Sequence, residues 1–258
     1  MGRLPYFATG AGPPLVFLAG LSADTGFDSG MERRMNAGMV APFSEGRRVV
    51  FFNRRPGLPR GMTMAEMAAE HADAIREGLG DEPVDVAGIS TGGSIAQQLA
   101  ADHPGVVGRL VLLSTACRLG PEGRELQRRV AARIRKGARR QAFAVMAAGL
   151  VPPRRGRLAA AAVAWLAAPQ LADEEGLPDM ATTIEAEDDF DLASCRSPVR
   201  APTLILTGRE DRFYSPELFE ETSRLIPGSR LRVFDGRGHV TVTRHPDFPA
   251  EIRRFLRP

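Results

Sequence analysis

Short apolar runs, spaced along the chain with helix-like stretches between them, limit what this sequence can fold into more than any other feature. They lie at 15–19 (LVFLA), 49–52 (VVFF), 84–89 (VDVAGI), 110–113 (LVLL), 204–206 (LIL) and 231–234 (LRVF). Strands this short that alternate with helices build βαβ units, and hence a parallel sheet. Their β-branched and aromatic content suits strands covered on both faces. Thr63 and Glu66 have the spacing of a capping box, opening a helix whose buried face is Met64, Met67, Ala68, Ala72 and Ile75. His71, in the same helix, is expected on or near the surface. Further helices are predicted over 94–101, 216–226 and 248–256.

The stretch 116–197 breaks this rhythm. It is rich in Ala and Arg, helical in period and without a convincing strand. It reads as a helical cap inserted between two sheet strands, leaving 1–115 and 198–258 as the core. Its first half is basic (Arg124, Arg128, Arg129, Arg133, Arg135, Lys136, Arg139, Arg140) and the part over 173–191 is acidic (Glu174, Glu175, Asp179, Glu185, Glu187, Asp188, Asp189). Trp165 is expected in the cap core because of its size.

A chain of 258 residues, 43% hydrophobic, suits one large domain with an inserted subdomain. A chain of this length buries about three quarters of its unfolded surface, without need of disulfides or metal. No apolar run approaches the ~18 residues of a membrane span. Residues 1–12 lack the order of a signal peptide. A soluble, cytoplasmic protein with no membrane partner is expected. The net charge is +3, with 34 basic against 31 acidic residues. That near balance, without a nucleic-acid module, argues against a nucleic-acid partner. Cys117 and Cys195 are too few for a disulfide framework and lack metal-site spacing; they read as packed, reduced thiols at the two crossings between cap and core.

Gly88-Ile89-Ser90-Thr91-Gly92 matches G-x-S-x-G and stands between an apolar strand and a helix. So tight a turn strains the serine backbone and brings neighbouring chain too close for a Cβ at Gly88 or Gly92. It lifts the Ser90 hydroxyl above the sheet and sets the Thr91 N–H, at a helix N-terminus, beside a developing oxyanion. Serine needs a base to act as a nucleophile. Among His71, His103, His239 and His245, His239 follows the last apolar run, at the strand end where open α/β sheets place their sites. Asp211 follows the 204–206 run. The order Ser90, Asp211, His239 is that of one known triad arrangement, in which the acid fixes the imidazole tautomer. Glu210 is the nearest competitor, and the spacing from Gly208 favours Asp211.

These residues give the chain a plain resemblance to the α/β-hydrolase superfamily. The likeness extends to Leu110-Val111-Leu112-Leu113-Ser114, to the segment 201–208 (APTLILTG), to Ile226-Pro227-Gly228, and to Gly238-His239 and His245-Pro246. It implies an α/β-hydrolase fold: a mostly parallel, eight-strand-type sheet, helices on both faces, a cap over the site, and acyl transfer to water. The leading antiparallel strands are expected to be cut back to 4–8. The family often has His-Gly after its first parallel strand, where this chain reads Ala19-Gly20-Leu21-Ser22. The second oxyanion donor is then the backbone N–H of Leu21. The frequent Asp-x-Arg-Gly segment is here Asn53-Arg54-Arg55-Pro56-Gly57, and Ile89 replaces a frequent histidine. The retained serine argues against the epoxide hydrolases and haloalkane dehalogenases of this fold, which use aspartate there.

The function expected is hydrolysis of an ester or thioester of a small to medium apolar acyl compound, with no cofactor and no metal. Met31, Met35, Met39, Met146 and Met180 read as core filler more than pocket lining. Two alternatives stand beside it. A thioesterase could receive acyl groups from an acidic acyl-carrier protein docked on the basic half of the cap, unless that half pairs with the acidic half. The same fold also hosts cofactor-free non-hydrolytic chemistry and ligand binding.

Overall fold

The computed structural model describes residues 4–24, 26, 36–151, 156–171 and 174–257. Seven strands form one sheet: β1 (Tyr6–Thr9), β2 (Pro14–Leu18), β3 (Arg48–Phe52), β4 (Val84–Ile89), β5 (Val107–Leu113), β6 (Thr203–Gly208) and β7 (Arg230–Phe234), in the spatial order β1-β3-β2-β4-β5-β6-β7. Among the described residues only β1 is antiparallel, with Tyr6 opposite Phe52 and Thr9 opposite Val49. Among the described residues the sheet has seven strands rather than eight, because a single antiparallel strand precedes the parallel set. Every apolar run read from the sequence contains a strand; most are lengthened by up to three residues, while the first begins at Pro14 and ends at Leu18, leaving Ala19 outside it.

Helices α1 (Met64–Leu79), α2 (Thr91–Asp102), α7 (Pro216–Leu225) and α8 (Phe248–Phe255) flank the sheet. Alternate side chains of each strand reach opposite cores. Val16, Leu18, Val50, Phe52, Val86, Leu110, Leu112 and Ile205 pack on the side of α1, α2 and α7. Leu15, Phe17, Val49, Phe51, Ala87, Val111, Leu113 and Leu204 pack with Phe248 and Ile252 of α8. Burial of one such side chain contributes about 1.5–3 kcal/mol, so the two faces hold the sheet between them. Thr63 caps α1 in the predicted capping box, its hydroxyl accepting from the Glu66 N–H at 3.2 Å while the Glu66 carboxylate accepts from the Thr63 N–H at 2.7 Å.

His71 departs from expectation. It is 2% exposed, its Nδ1 is 2.7 Å from the Met67 carbonyl, and its ring stands edge-on to Phe52. The apolar row of α1 extends through it, because positions 64, 67, 68, 71, 72 and 75 share one helix face. Burial holds its imidazole neutral, with a pKa lowered to about 4.

Among the described residues, four α-helices lie between β5 and β6: α3 (Pro121–Arg135), α4 (Arg139–Leu150), α5 (Arg157–Leu171) and α6 (Leu177–Asp188). Val130, Ala131, Ile134, Ala142, Leu177, Met180, Ala181 and Ile184 form a core within this insertion, which also takes in Ala23 from the segment after β2. Its charges meet one another: Arg128 pairs with Asp188 at 2.9 Å, Arg135 with Glu185 at 2.7 Å, and Arg139 lies 3.7 Å from Glu174. Asp173 lies outside the described residues, as do Met31 and Met35; Met39, Met146 and Met180 all pack on core clusters. Trp165, expected in a core, is 43% exposed on α5, with the Arg140 guanidinium 4.6 Å over its ring. Where the insertion leaves and rejoins the sheet the two crossings touch, the Leu192 N–H donating to the Cys117 carbonyl at 2.8 Å. Both cysteines are free thiols: Cys117 is buried and Cys195 half-buried, its Sγ 3.4 Å from Gln98 Oε1. Burial pushes the Cys195 thiol up to about 11. No helix among the described residues is long and apolar enough to cross a membrane.

Candidate active site

The parallel register sets the carboxyl ends of four strands side by side: Ile89 lies opposite Leu113, Leu113 opposite Leu206, and Gly208 opposite Phe234. The chain leaves β4 at Ser90, whose φ of 52° and ψ of −124° are rare for a residue with a side chain. Backbone bonds hold this conformation. The Ser90 N–H donates to the Leu113 carbonyl at 2.9 Å, and the Ser90 carbonyl accepts from Gly93 at 2.7 Å and Ser94 at 3.2 Å. A Cβ on Gly88 would lie 2.3 Å from the Gly92 carbonyl oxygen, and one on Gly92 would lie 2.2 Å from that of Leu18, so both positions are closed to any other residue. Because Ser90 itself caps α2, the helix begins at Thr91, three residues before the predicted start.

The loop after β6 buries Asp211 and leaves Glu210 exposed. Asp211 Oδ1 accepts the N–H groups of Phe213 at 2.8 Å and Tyr214 at 3.2 Å. Its Oδ2 is 2.8 Å from His239 Nδ1. The other ring nitrogen, Nε2, is 2.9 Å from Ser90 Oγ. Thus the three residues picked from the sequence, separated by up to 149 positions, meet in one hydrogen-bonded row. His239 and Asp211 are buried and Ser90 is half-buried, so the open end of the row is the serine. With Asp211 accepting at Nδ1–H, Nε2 carries the lone pair and can take the hydroxyl proton. The remaining histidines lie elsewhere: His71 in the core, His103 at the end of α2, and His245 with its ring centroid 4.4 Å from that of Phe234.

Thr91 is the first residue of α2, so its N–H has no intrahelical acceptor and can face an oxyanion. The Gly20–Leu21 turn lies against the serine: a Cβ on Gly20 would be 3.7 Å from Ser90 Cβ. Arg54, 2% exposed, holds that turn by donating to the Gly20 carbonyl at 3.0 Å and the Ser22 carbonyl at 3.2 Å. Asn53 braces the same loop through the Asp24 carbonyl at 2.8 Å. The Asn-Arg departure from the expected Asp-x-Arg-Gly pattern therefore serves to position the turn that carries Leu21.

Several contributors were not found by reading the sequence. Ser114 is the other non-glycine residue with positive φ among the described residues, 47°, and its hydroxyl donates to the His239 carbonyl at 2.8 Å. Tyr214 stacks at 26° on the His239 ring, 6.0 Å away between centroids, and Phe213 lies 4.6 Å away. The Phe213 and Tyr214 positions carried one available signal, since they lie two and three residues after the acid. The role of Ser114 had none, because a left-handed backbone at a serine cannot be read from residue type.

Residues 13–246 match the alpha/beta hydrolase fold family. The chain is 28% identical over 268 residues to a polyketide synthase, ThaQ, of Burkholderia thailandensis; that match covers 98% of this chain but 12% of the synthase. It is 28% identical over 223 residues to 2-hydroxymuconate semialdehyde hydrolase of Pseudomonas putida, covering 72% of this chain and 67% of the relative. Among solved structures it is similar to MGS-M2, an alpha/beta hydrolase enzyme from a Medee basin deep-sea metagenome library, with a TM-score of 0.80, 19% identity, and 97% and 93% of the two chains covered. With the sheet order, the turn at Ser90 and a family match that runs through nearly the whole sequence, this chain belongs to the alpha/beta hydrolase family.

Proposed function

We propose that the protein is a serine hydrolase that cleaves an ester or thioester of a small to medium apolar acyl compound through an acyl-enzyme. The unbroken row from Ser90 Oγ to His239 Nε2, and from His239 Nδ1 to Asp211 Oδ2, carries this reading. Ser90 Oγ bonds to the carbonyl carbon as its proton moves to His239 Nε2. The resulting oxyanion accepts the N–H groups of Thr91 and Leu21. Asp211 stabilises the imidazolium, which then protonates the departing alcohol or thiol. Water, deprotonated by the same ring, cleaves the acyl-enzyme and frees Ser90. The helical insertion is the cap that shapes the acyl pocket.

Ser90→Ala tests the proposal. It should lower kcat on a p-nitrophenyl ester by on the order of 10⁴ or more, and abolish labelling by a fluorophosphonate. A variant with parental turnover would end the assignment. A carrier-bound thioester is the second reading, favoured by the likeness to a segment of a polyketide synthase. The pairing of Arg128, Arg135 and Arg139 within the insertion reduces the charge left for an acidic carrier. Turnover of acyl-carrier protein thioesters that falls steeply with salt favours that reading, and equal rates on free thioesters oppose it.

A further inference from the structure

Glu187, near the end of α6, is wholly buried. Its carboxylate accepts four hydrogen bonds: at Oε2 from Thr91 Oγ1 at 2.7 Å and Gln127 Nε2 at 3.0 Å, and at Oε1 from Ser94 Oγ at 2.8 Å and the Tyr214 hydroxyl at 3.2 Å. A buried carboxylate is tolerated only when donors replace its lost water, and here each oxygen receives two. What matters is where the donors come from. Thr91 and Ser94 form one face of the first turn of α2, directly after the serine. Tyr214 gives its backbone N–H to Asp211 and stacks its ring on His239. Gln127 comes from α3 of the insertion. Burial and the neighbouring charges of Glu187 and Asp211 keep the Tyr214 hydroxyl protonated, and therefore a donor.

We propose that Glu187 is a positioning residue, supplied by the insertion, that sets both ends of the acyl-transfer machinery. Through Thr91 it fixes the peptide whose N–H meets the oxyanion. Through Tyr214 it fixes the turn that presents Asp211 to the imidazole. The proposal rests on Ser90 acting as the nucleophile. It makes docking of the insertion a condition for an assembled site, because the core alone has no carboxylate at this point. Catalytic groups tolerate little displacement: a shift of about 1 Å can cost about 10²-fold in rate.

The test uses the full chain with Glu187→Gln, Thr91→Val and Tyr214→Phe, measuring kcat and KM on a p-nitrophenyl ester, the rate constant of fluorophosphonate labelling, and Tm. Glu187→Gln keeps the shape but turns one acceptor oxygen into a donor. It should lower kcat and the labelling rate about ten- to hundredfold, with KM within about twofold. Parental rates with only a lowered Tm would reduce Glu187 to a structural anchor, and a raised KM with unchanged kcat would assign it to substrate binding; either result overturns the proposal. Should Glu187→Gln not fold, the two hydroxyl deletions decide: a loss of about threefold or more in both supports positioning, and parental rates in both overturn it. Ser90→Ala separates the two readings. Labelling or turnover that survives in that variant removes the hydrolase reading itself, whereas failure of the Glu187 prediction leaves it standing.

Discussion

Asp211→Asn keeps the shape of the side chain, and the structure dictates which way the new amide must face. Oδ1 receives two backbone N–H groups, from Phe213 and Tyr214, so that position must remain an oxygen. The NH₂ group is therefore forced to the place of Oδ2, 2.8 Å from His239 Nδ1. Two donors cannot face each other there. The ring must give up its Nδ1 proton and carry it on Nε2, where it points at Ser90 Oγ 2.9 Å away. A protonated Nε2 cannot accept the serine proton, so the base is lost without any movement of the three side chains. Loss of the correct tautomer in a serine triad lowers kcat by about 10⁴, which is about 5.5 kcal/mol of barrier. The assay is kcat and KM on a p-nitrophenyl ester, with ¹⁵N chemical shifts of the His239 ring as an independent reading of the tautomer. KM should change little, since the substrate does not meet Asp211. Activity within about tenfold of the parent, with the ring proton found on Nε2, would refute the claim that His239 works as the base.

Two further outcomes follow from the surroundings. His71 is neutral in the native core with a pKa of about 4, whereas in the unfolded chain it titrates near 6.5. The unfolded state therefore binds the extra proton first, so this contribution to stability is intact above about pH 6.5 and is lost as pH falls towards 4, reaching about 2 kcal/mol lost by pH 5. His71→Leu has no proton to gain, so its urea stability should fall by about 2 kcal/mol less than the parent's between neutral pH and pH 5; parallel profiles would contradict it. Trp165 is the single tryptophan of the chain and is 43% exposed. Its emission should be red-shifted and readily quenched by acrylamide, and a blue, quench-resistant emission would place the ring in a core instead.

The contrast between His71 and Trp165 shows which features of this chain were legible. The strands stand out because apolar runs of Val, Leu and Phe have few uses other than a covered sheet. The Ser90 turn stands out because its pattern is local: Gly88 is forced by Gly92 and Gly93 within the turn, and only the clash of Gly92 with Leu18 and Ala19 lies far along the chain. Residue type alone sends His71 to the surface, whereas its spacing from Met64, Met67 and Ile75 puts it on the buried face. Trp165 differs for the opposite reason. Helix α5 is apolar on every side, so no period says which face is covered. Glu187 could not be read at all as a partner of Thr91, since the two are 96 positions apart and an acidic residue in an acidic stretch reads as solvated. Arg54, likewise, declares its purpose only when its guanidinium is seen against the Gly20 and Ser22 carbonyls.

The hydrogen bond that joins Leu192 to Cys117 has a consequence for how such a chain can diversify. Strands β5 and β6 are ladder neighbours, with Leu110 opposite Thr203. Everything between the crossings therefore leaves and rejoins the sheet at one place, and it meets the core again where Asp179 accepts the N–H groups of Gly57 and Leu58 at 2.7 and 2.8 Å and where Glu187 meets Thr91 and Ser94. Any exchange that omits an equivalent of Glu187 keeps the serine, the imidazole and the acid but loses the tether that reaches down to them, so new specificity in this lineage has to be grafted together with an anchor.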